Sequence, residues 1–333
     1  MKFSADCEPK STPFASIVQQ VRRHVGKALF GVEAPSPNYR GKVRDVFFKN
    51  HELIIVTTDR ISAFDVVLGA IPFKGSLLTE QAIFWLNKSQ SIIDNHLIER
   101  LDDQVMRCRK ALPFRVEMVV RGYLAGSLLR EPVHTRGSRY GLRLDASIDA
   151  YEKLPEPIVT PTTKADIGEH DLPISLKEIV DSGLMSKRHL DQVVDASIAL
   201  FKQGSAFSKE QGLLLVDTKY EFGLCDDKVI LIDEIHTADS SRYWIADSYE
   251  DCLREQKAPQ MLDKERLRDT LLKKGYDGTQ VATMPKLDDE MSLDLAAHYW
   301  QLTETLLGRT FKPSLEDASV RVSNCLFAAL PQR

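Results

Sequence analysis

The run VDTKYEFG (Val216–Gly223) carries its chemistry on one side. Strand alternation sets Asp217, Lys219 and Glu221 on one face and Val216, Thr218, Tyr220 and Phe222 on the other. A second run, VILID, ends in Asp233 and Glu234, and CDDK (Cys225–Lys228) between the two runs reads as a hairpin turn. A four-residue turn sets Glu234 opposite Lys219. A five-residue turn or a bulge sets Asp233 opposite Glu221. Either register gathers carboxylates and an ammonium, a set suited to Mg²⁺ carrying nucleotide phosphates, because Mg²⁺ uses few carboxylates and leaves positions for phosphate oxygens. Taken alone, the pattern fits equally the solvated face of an amphipathic hairpin, which is the commoner case.

Other short segments have related chemistry. RGKVRDVFF (Arg40–Phe48) puts Gly41 among the cations Lys42 and Arg44 at a strand entry, where backbone N–H groups can approach phosphate. It is not a Walker A loop, and an ordinary hairpin entry has the same spelling. TDRISAFD (Thr58–Asp65) compresses Asp59, Arg60, Ser62 and Asp65 into a segment read as a loop. FKGS (Phe73–Ser76) precedes a helix and offers Lys74 and free N–H groups as an anion cradle, or simply a capped turn. Between Arg121 and Arg143 there are five arginines against one acid, Glu131, with Gly122, Gly126 and Ser127 in RGYLAGS. Phosphate or carboxylate ligands suit such a field. Single-stranded nucleic acid stacking on Tyr123 and Tyr140 is the weaker reading, because the basic stretch is short.

The elements that must position these groups alternate in blocks. A helix is expected from Phe14 to Leu29, capped by Ser11 or Thr12, then a hairpin of VRDVFF and LIIVTT, then a helix over 77–93. A hinge is expected near Leu112, Pro113 and Phe114, ahead of the strand RVEMVV. Residues 121–175 read as irregular. Helices follow at 175–182 and 187–203, then the second hairpin, then two or three helices between 263 and 308. Strands and helices in separate blocks favour α+β over a doubly wound sheet.

The chain has 333 residues with 44 basic and 48 acidic side chains, a net charge of −4, which argues against a wholesale nucleic-acid coat. Its length predicts more than one packed lobe: 1–112, 113–250 and a C-terminal helical segment 251–333. Five scattered cysteines without a CxxC pair suit a reducing compartment, and no run is long enough to span a bilayer. A cytoplasmic location follows as the expectation. The eight histidines lack zinc-ligand spacing, and no GxSxG marks acyl-enzyme chemistry.

In order and spacing, GKVRD, TDRISAFD, KGSLLT, VVRGYLAGS, EPIVTPTTKADIGEHD, DTKYEFG and DEIHTADSSRYW resemble the SAICAR synthetases (phosphoribosylaminoimidazole-succinocarboxamide synthases), in their longer, yeast-like form. The resemblance runs from about Gly41 to Gly278. It implies a two-lobed ATP-binding fold akin to ATP-grasp enzymes and distantly to kinases, with antiparallel sheets. It also implies a ligase of purine biosynthesis that joins carboxyaminoimidazole ribonucleotide (CAIR) to L-aspartate at the expense of ATP, with Mg²⁺. By that resemblance Gly41, Lys42, Val43 and Arg44 cover the ATP phosphates, Glu117 reads the adenosine, and Lys219 touches phosphate. Glu221 and Asp233 hold the metal. Arg121, Ser127 and Arg242 hold the ribonucleotide, with Asp217, Lys219 and Arg242 as the catalytic set. Asp59, Arg60, Ser62, Asp65 and Lys74 shape the acidic-substrate end. The implied partners are these small molecules, with no nucleic acid or membrane, and self-association is left open.

Overall fold

The computed structural model describes residues 11–33, 35–64, 66–164, 171–261, 267, 271–272, 275–276 and 287–330. Two antiparallel sheets organise it. The first has five strands in the order β1-β2-β3-β7-β6: β1 (Tyr39–Arg40), β2 (Arg44–Lys49), β3 (Glu52–Thr57), β6 (Leu97–Asp102) and β7 (Val105–Arg109). Alternation in β2 and β3 turns Phe47, Ile54 and Val56 inward onto Leu29, Val32 and Val105. The VRDVFF–LIIVTT hairpin is therefore present, with Arg44 opposite Thr57 and Lys49 opposite Glu52.

The second sheet is built on β11 (Leu213–Cys225), which lies between β8 (Leu112–Tyr123) on one edge and, on the other, β12 (Lys228–Ile232) and β13 (Ser241–Ile245). β9 (Lys153–Val159) and β10 (Thr162–Thr163) extend β8. Asp226 and Asp227, both with positive φ, make the two-residue turn between β11 and β12. Cys225 pairs with Lys228 and Glu221 with Ile232, the register of the four-residue turn. The ladder then stops. Asp233 adopts a φ of 62°, so Glu234 never comes opposite Lys219.

Helix α2 (Lys74–Ser89) sits between the sheets. Its Leu77, Leu78, Trp85 and Leu86 share one core with Val116, Met118 and Val120 of β8 and with Trp300, Leu302 and Leu306 of the C-terminal helix α7 (Asp289–Leu307). Gly75 is fixed by close approach, since a Cβ there would lie 2.2 Å from the Thr57 carbonyl oxygen. The remaining helices are α1 (Phe14–Arg22), α3 (Gly126–Arg130), α4 (Leu176–Asp181), α5 (Lys187–Glu210), α6 (Ala246–Arg254) and α8 (Ala318–Ala329). The fold is α+β, and every ladder between described strands is antiparallel.

Several boundaries differ from expectation. α1 ends seven residues before Leu29, whose N–H donates to the Asp59 carboxylate at 2.7 Å instead of continuing the helix. Thr12 does not cap α1. Its N–H and hydroxyl both donate to Glu304. The TDRISAFD segment, read as a loop, contains strand β4 (Arg60–Ala63), paired with β5 (Val66–Ala70). α2 starts at Lys74 and ends at Ser89, not 77–93, and α8 was not foreseen. Asp65 lies outside the described residues.

Candidate active site

A cleft of about 440 Å³ opens where the turn joining β1 to β2 overhangs the face of β11. That is within the range of small-molecule sites, about 300 to 1,000 Å³. Its lining includes Gly41, Lys42, Val43, Arg44, Ser62, Glu117, Lys219, Glu221 and Asp233, drawn from both sheets.

Strand β11 is the spine of the site. Alternation points Asp217, Lys219 and Glu221 the same way, as expected, while Val216, Thr218, Tyr220 and Phe222 are buried on the other side. On β8, Glu117 stands opposite Glu221, and Arg121 opposite Asp217. Lys219 Nζ donates to Glu117 at 2.9 Å and to Glu221 at 3.2 Å, and Lys164 donates to the other oxygen of Glu221. Burial alone would raise the Glu221 pKa, but Lys219 and Lys164 hold it at about 2. Burial opposes the charge on Lys219 as well; Glu221 and Glu117 outweigh it and push the ammonium above its usual range.

Arg44 closes the other wall, donating to Asp233 at 2.5 Å and to Glu234 at 2.8 Å. Burial lifts the Asp233 pKa to about 6 against the pull of Arg44, and the neighbouring Glu221 and Glu234 charges add to the rise. His96 lines the same space, its pKa lowered to about 4 by burial and by Arg44.

A second cluster adjoins the first along β11. Asp217 accepts from Arg121 at 3.0 Å and from Arg242 at 2.6 Å, and Arg121 also donates to Ser127 at 3.0 Å and to Thr160 at 2.9 Å. Gly126 is required beside it, since its φ is +61° and a Cβ would lie 2.5 Å from an Arg242 nitrogen.

Three expected site residues lie beneath the cleft. Arg60, 3% exposed, donates to the carbonyls of Phe30, Gly41 and Lys42 and to Asp45. It holds the Gly41–Arg44 turn from behind. Asp59, 2% exposed, accepts from the N–H groups of Leu29 and Gly75 and from Gln104. The N-terminus of α2, expected to cradle a ligand anion, is thus occupied by a carboxylate of the protein itself. Lys74 is wholly buried and donates to Asp239 at 2.6 Å. Sequence reasoning missed Lys164, which lay unmarked inside TPTTKADIGEHD, and His96, a lone histidine without motif. The carboxylate of Asp239 was visible in HTADSSRYW, but only its burial beside Lys74 singles it out.

Cations, carboxylates and turn backbone between two sheets define an enzyme that handles small anionic substrates by charge and positioning. The family model described as SAICAR synthetase matches residues 37–285. The phosphoribosylaminoimidazole-succinocarboxamide synthase of Cytophaga hutchinsonii is 41% identical over 294 residues, covering 88% of this chain and 94% of that one. The SAICAR synthase of Saccharomyces cerevisiae, solved in complex with SAICAR, superposes with a TM-score of 0.74 at 29% identity, over 86% of this chain and 100% of that one. A type-2 SAICAR synthetase in complex with ADP shares the fold, with a TM-score of 0.63 at 23% identity, over 82% of this chain and 99% of that one. The chain belongs to the SAICAR synthetase family.

Proposed function

We infer that the cleft performs ATP-dependent carbon–nitrogen ligation, joining CAIR to L-aspartate to give SAICAR, ADP and phosphate in purine biosynthesis. The observation that carries this reading is the single file of Asp217, Lys219 and Glu221 on β11, which serves both charged clusters at once. A carboxylate is a poor electrophile, so its oxygen must become part of a leaving group. Transfer of the γ-phosphoryl group to that oxygen releases ADP. Attack by the aspartate amine then forms the C–N bond and expels phosphate. Such a reaction needs alignment and charge neutralisation more than a side-chain nucleophile.

In this reading the Gly41–Arg44 turn and Lys219 bind ATP phosphates, and Glu117, which orients Lys219, reads the adenosine. Arg121, Ser127 and Arg242 grip the ribonucleotide, and Asp217 keeps the two guanidinium groups aligned. Ser62 shapes the acidic-substrate end, while Asp59, Arg60 and Lys74 position the walls. Glu221 and Asp233 suit Mg²⁺: each is a hard oxygen donor, and the Glu221 charge helps raise the proton affinity of Asp233 across the same space. A cation held there would supply charge neutralisation for nucleotide phosphates. Small-molecule partners and a cytoplasmic location complete the reading, supported by free thiols at Cys108, Cys225, Cys252 and Cys325. No described helix is long and apolar enough to cross a membrane. A division near residue 112 is supported by the break between the two sheets at Lys110 and Ala111, whereas residue 250 falls inside α6 (Ala246–Arg254), so a boundary there has no such support.

The test is ADP release from Mg·ATP and CAIR, with and without L-aspartate. ADP that requires both substrates, matched by equimolar SAICAR, is the expected result. ADP formed without aspartate would indicate a kinase-like phosphotransferase instead.

A further inference from the structure

The loop joining β12 to β13, residues 233–240, carries Asp233 and Glu234 at one end and delivers Arg242 at the other. Its middle is held from outside either sheet. Asp239 accepts from Lys74 of α2 at 2.6 Å and from the Tyr299 hydroxyl of α7 at 2.6 Å. One residue earlier, the N–H of Ala238 donates to Gln81 Oε1 at 2.8 Å, and the amide of that same Gln81 donates to Thr303 Oγ1 at 2.6 Å. Thr303 in turn donates to the Tyr299 carbonyl at 2.7 Å. Tyr299 and Thr303 are one helical turn apart, so a single face of α7 supplies both struts. Lys74, Gln81, Tyr299 and Thr303 are all fully buried. Asp239 itself lines the cleft.

We propose that Tyr299 and Thr303 are positioning residues of the ligation site, and that α7 is part of the catalytic unit although it lies beyond the stretch matched by the family model, residues 37–285. The proposal rests on the ligase reading. A buried carboxylate that loses a donor seeks another, and its lowest-cost route is to move toward the cleft. The loop then shifts, taking Asp233 and Arg44 with it, since the two are bonded. Tyr299→Phe keeps the ring, which packs within 5.6 Å of Lys74 Nζ, and removes only the hydroxyl.

Steady-state kinetics of the full chain separate this from a merely structural role. Tyr299→Phe is expected to lower kcat by about tenfold and to raise KM for Mg·ATP several-fold, with KM for CAIR within about twofold. Thr303→Val should act in the same direction and more weakly. Wild-type constants in both variants, or equal loss against all substrates with a lower folded fraction, overturn the proposal. Amide hydrogen exchange supplies a reading independent of turnover. The N–H groups of Ser240 and Ser241, both bonded to the Thr237 carbonyl, should exchange at least tenfold faster in Tyr299→Phe while α7 stays protected. Unchanged exchange overturns the strut even if the wild type proves inactive in the ligase assay. An inactive wild type with faster exchange in the variant would instead remove the reaction and leave the strut.

Discussion

TDRIS and DTKYE look alike as text, each interleaving acids and bases with apolar residues, yet the protein uses them in opposite ways. Around Asp59 and Arg60 the charges spend much of their hydrogen-bonding capacity on backbone: three carbonyls for the arginine, two N–H groups for the aspartate. Backbone groups cannot leave, so these charges are committed to shape. Around Lys219 and Glu221 the partners are other ionised side chains, which can exchange one ion for another when a phosphate or a cation arrives. What separates framework from site is therefore the identity of the partner, more than the charge or even its burial, since Glu221 is only 7% exposed.

Breaking the framework should cost the most. Arg60→Met strips three carbonyls and Asp45 of a buried donor, and is expected to destabilise the fold by about 3 to 5 kcal/mol in urea titration. A loss below about 1 kcal/mol would dissolve the distinction. Lys219→Ala should shift the balance the other way, cutting turnover about a hundredfold to a thousandfold with a smaller loss of stability than Arg60→Met. Wild-type turnover would remove Lys219 from the mechanism.

The framework also contains His236, fully buried with its Nε2 against the Tyr220 hydroxyl and its pKa lowered by burial to about 3. Unfolded, it takes up a proton near 6.5, so the folded state binds fewer protons across that interval and stability falls as pH drops through it. Between pH 7 and pH 5 its share of the loss is about 2 kcal/mol. His236→Gln should flatten the pH dependence of unfolding by that amount; an unaltered slope would show that the ring charges within the fold. Smallest is Glu221→Gln, expected to raise the Mg²⁺ concentration giving half-maximal rate about tenfold. An unchanged magnesium requirement would take Glu221 out of the metal site.

Much of this was legible beforehand where a pattern repeats along one strand. Alternation in β11 separated the working face from the core face, and CDDK marked the turn but left two registers open, of which the structure adopts that of the four-residue turn as far as Ile232. The failures share a cause. Nothing local distinguishes an Arg60 that meets carbonyls of residues 30, 41 and 42 from one that faces solvent, because those partners are chosen by tertiary folding. For the same reason the apolar spacing that carried α1 on to Leu29 was real, but Leu29 serves a different core, that of the first sheet. Lys164 and Tyr299 carried no signal because each matters through partners distant in sequence.

The length of β11 has an evolutionary corollary. Because Asp217 and Glu221 are four residues apart on one strand, the two clusters are held about 13 Å apart by backbone rise alone. On the proposed roles, strand β11 is a ruler between the residues that hold the ribonucleotide and those that hold the phosphate donor. Substitutions along it can tune either end, but one residue inserted between 217 and 221 would turn half the ruler over and point its charges into the core. Relatives should therefore vary freely in the length of the turn at Asp226 and Asp227, and not at all in the interval those two carboxylates mark.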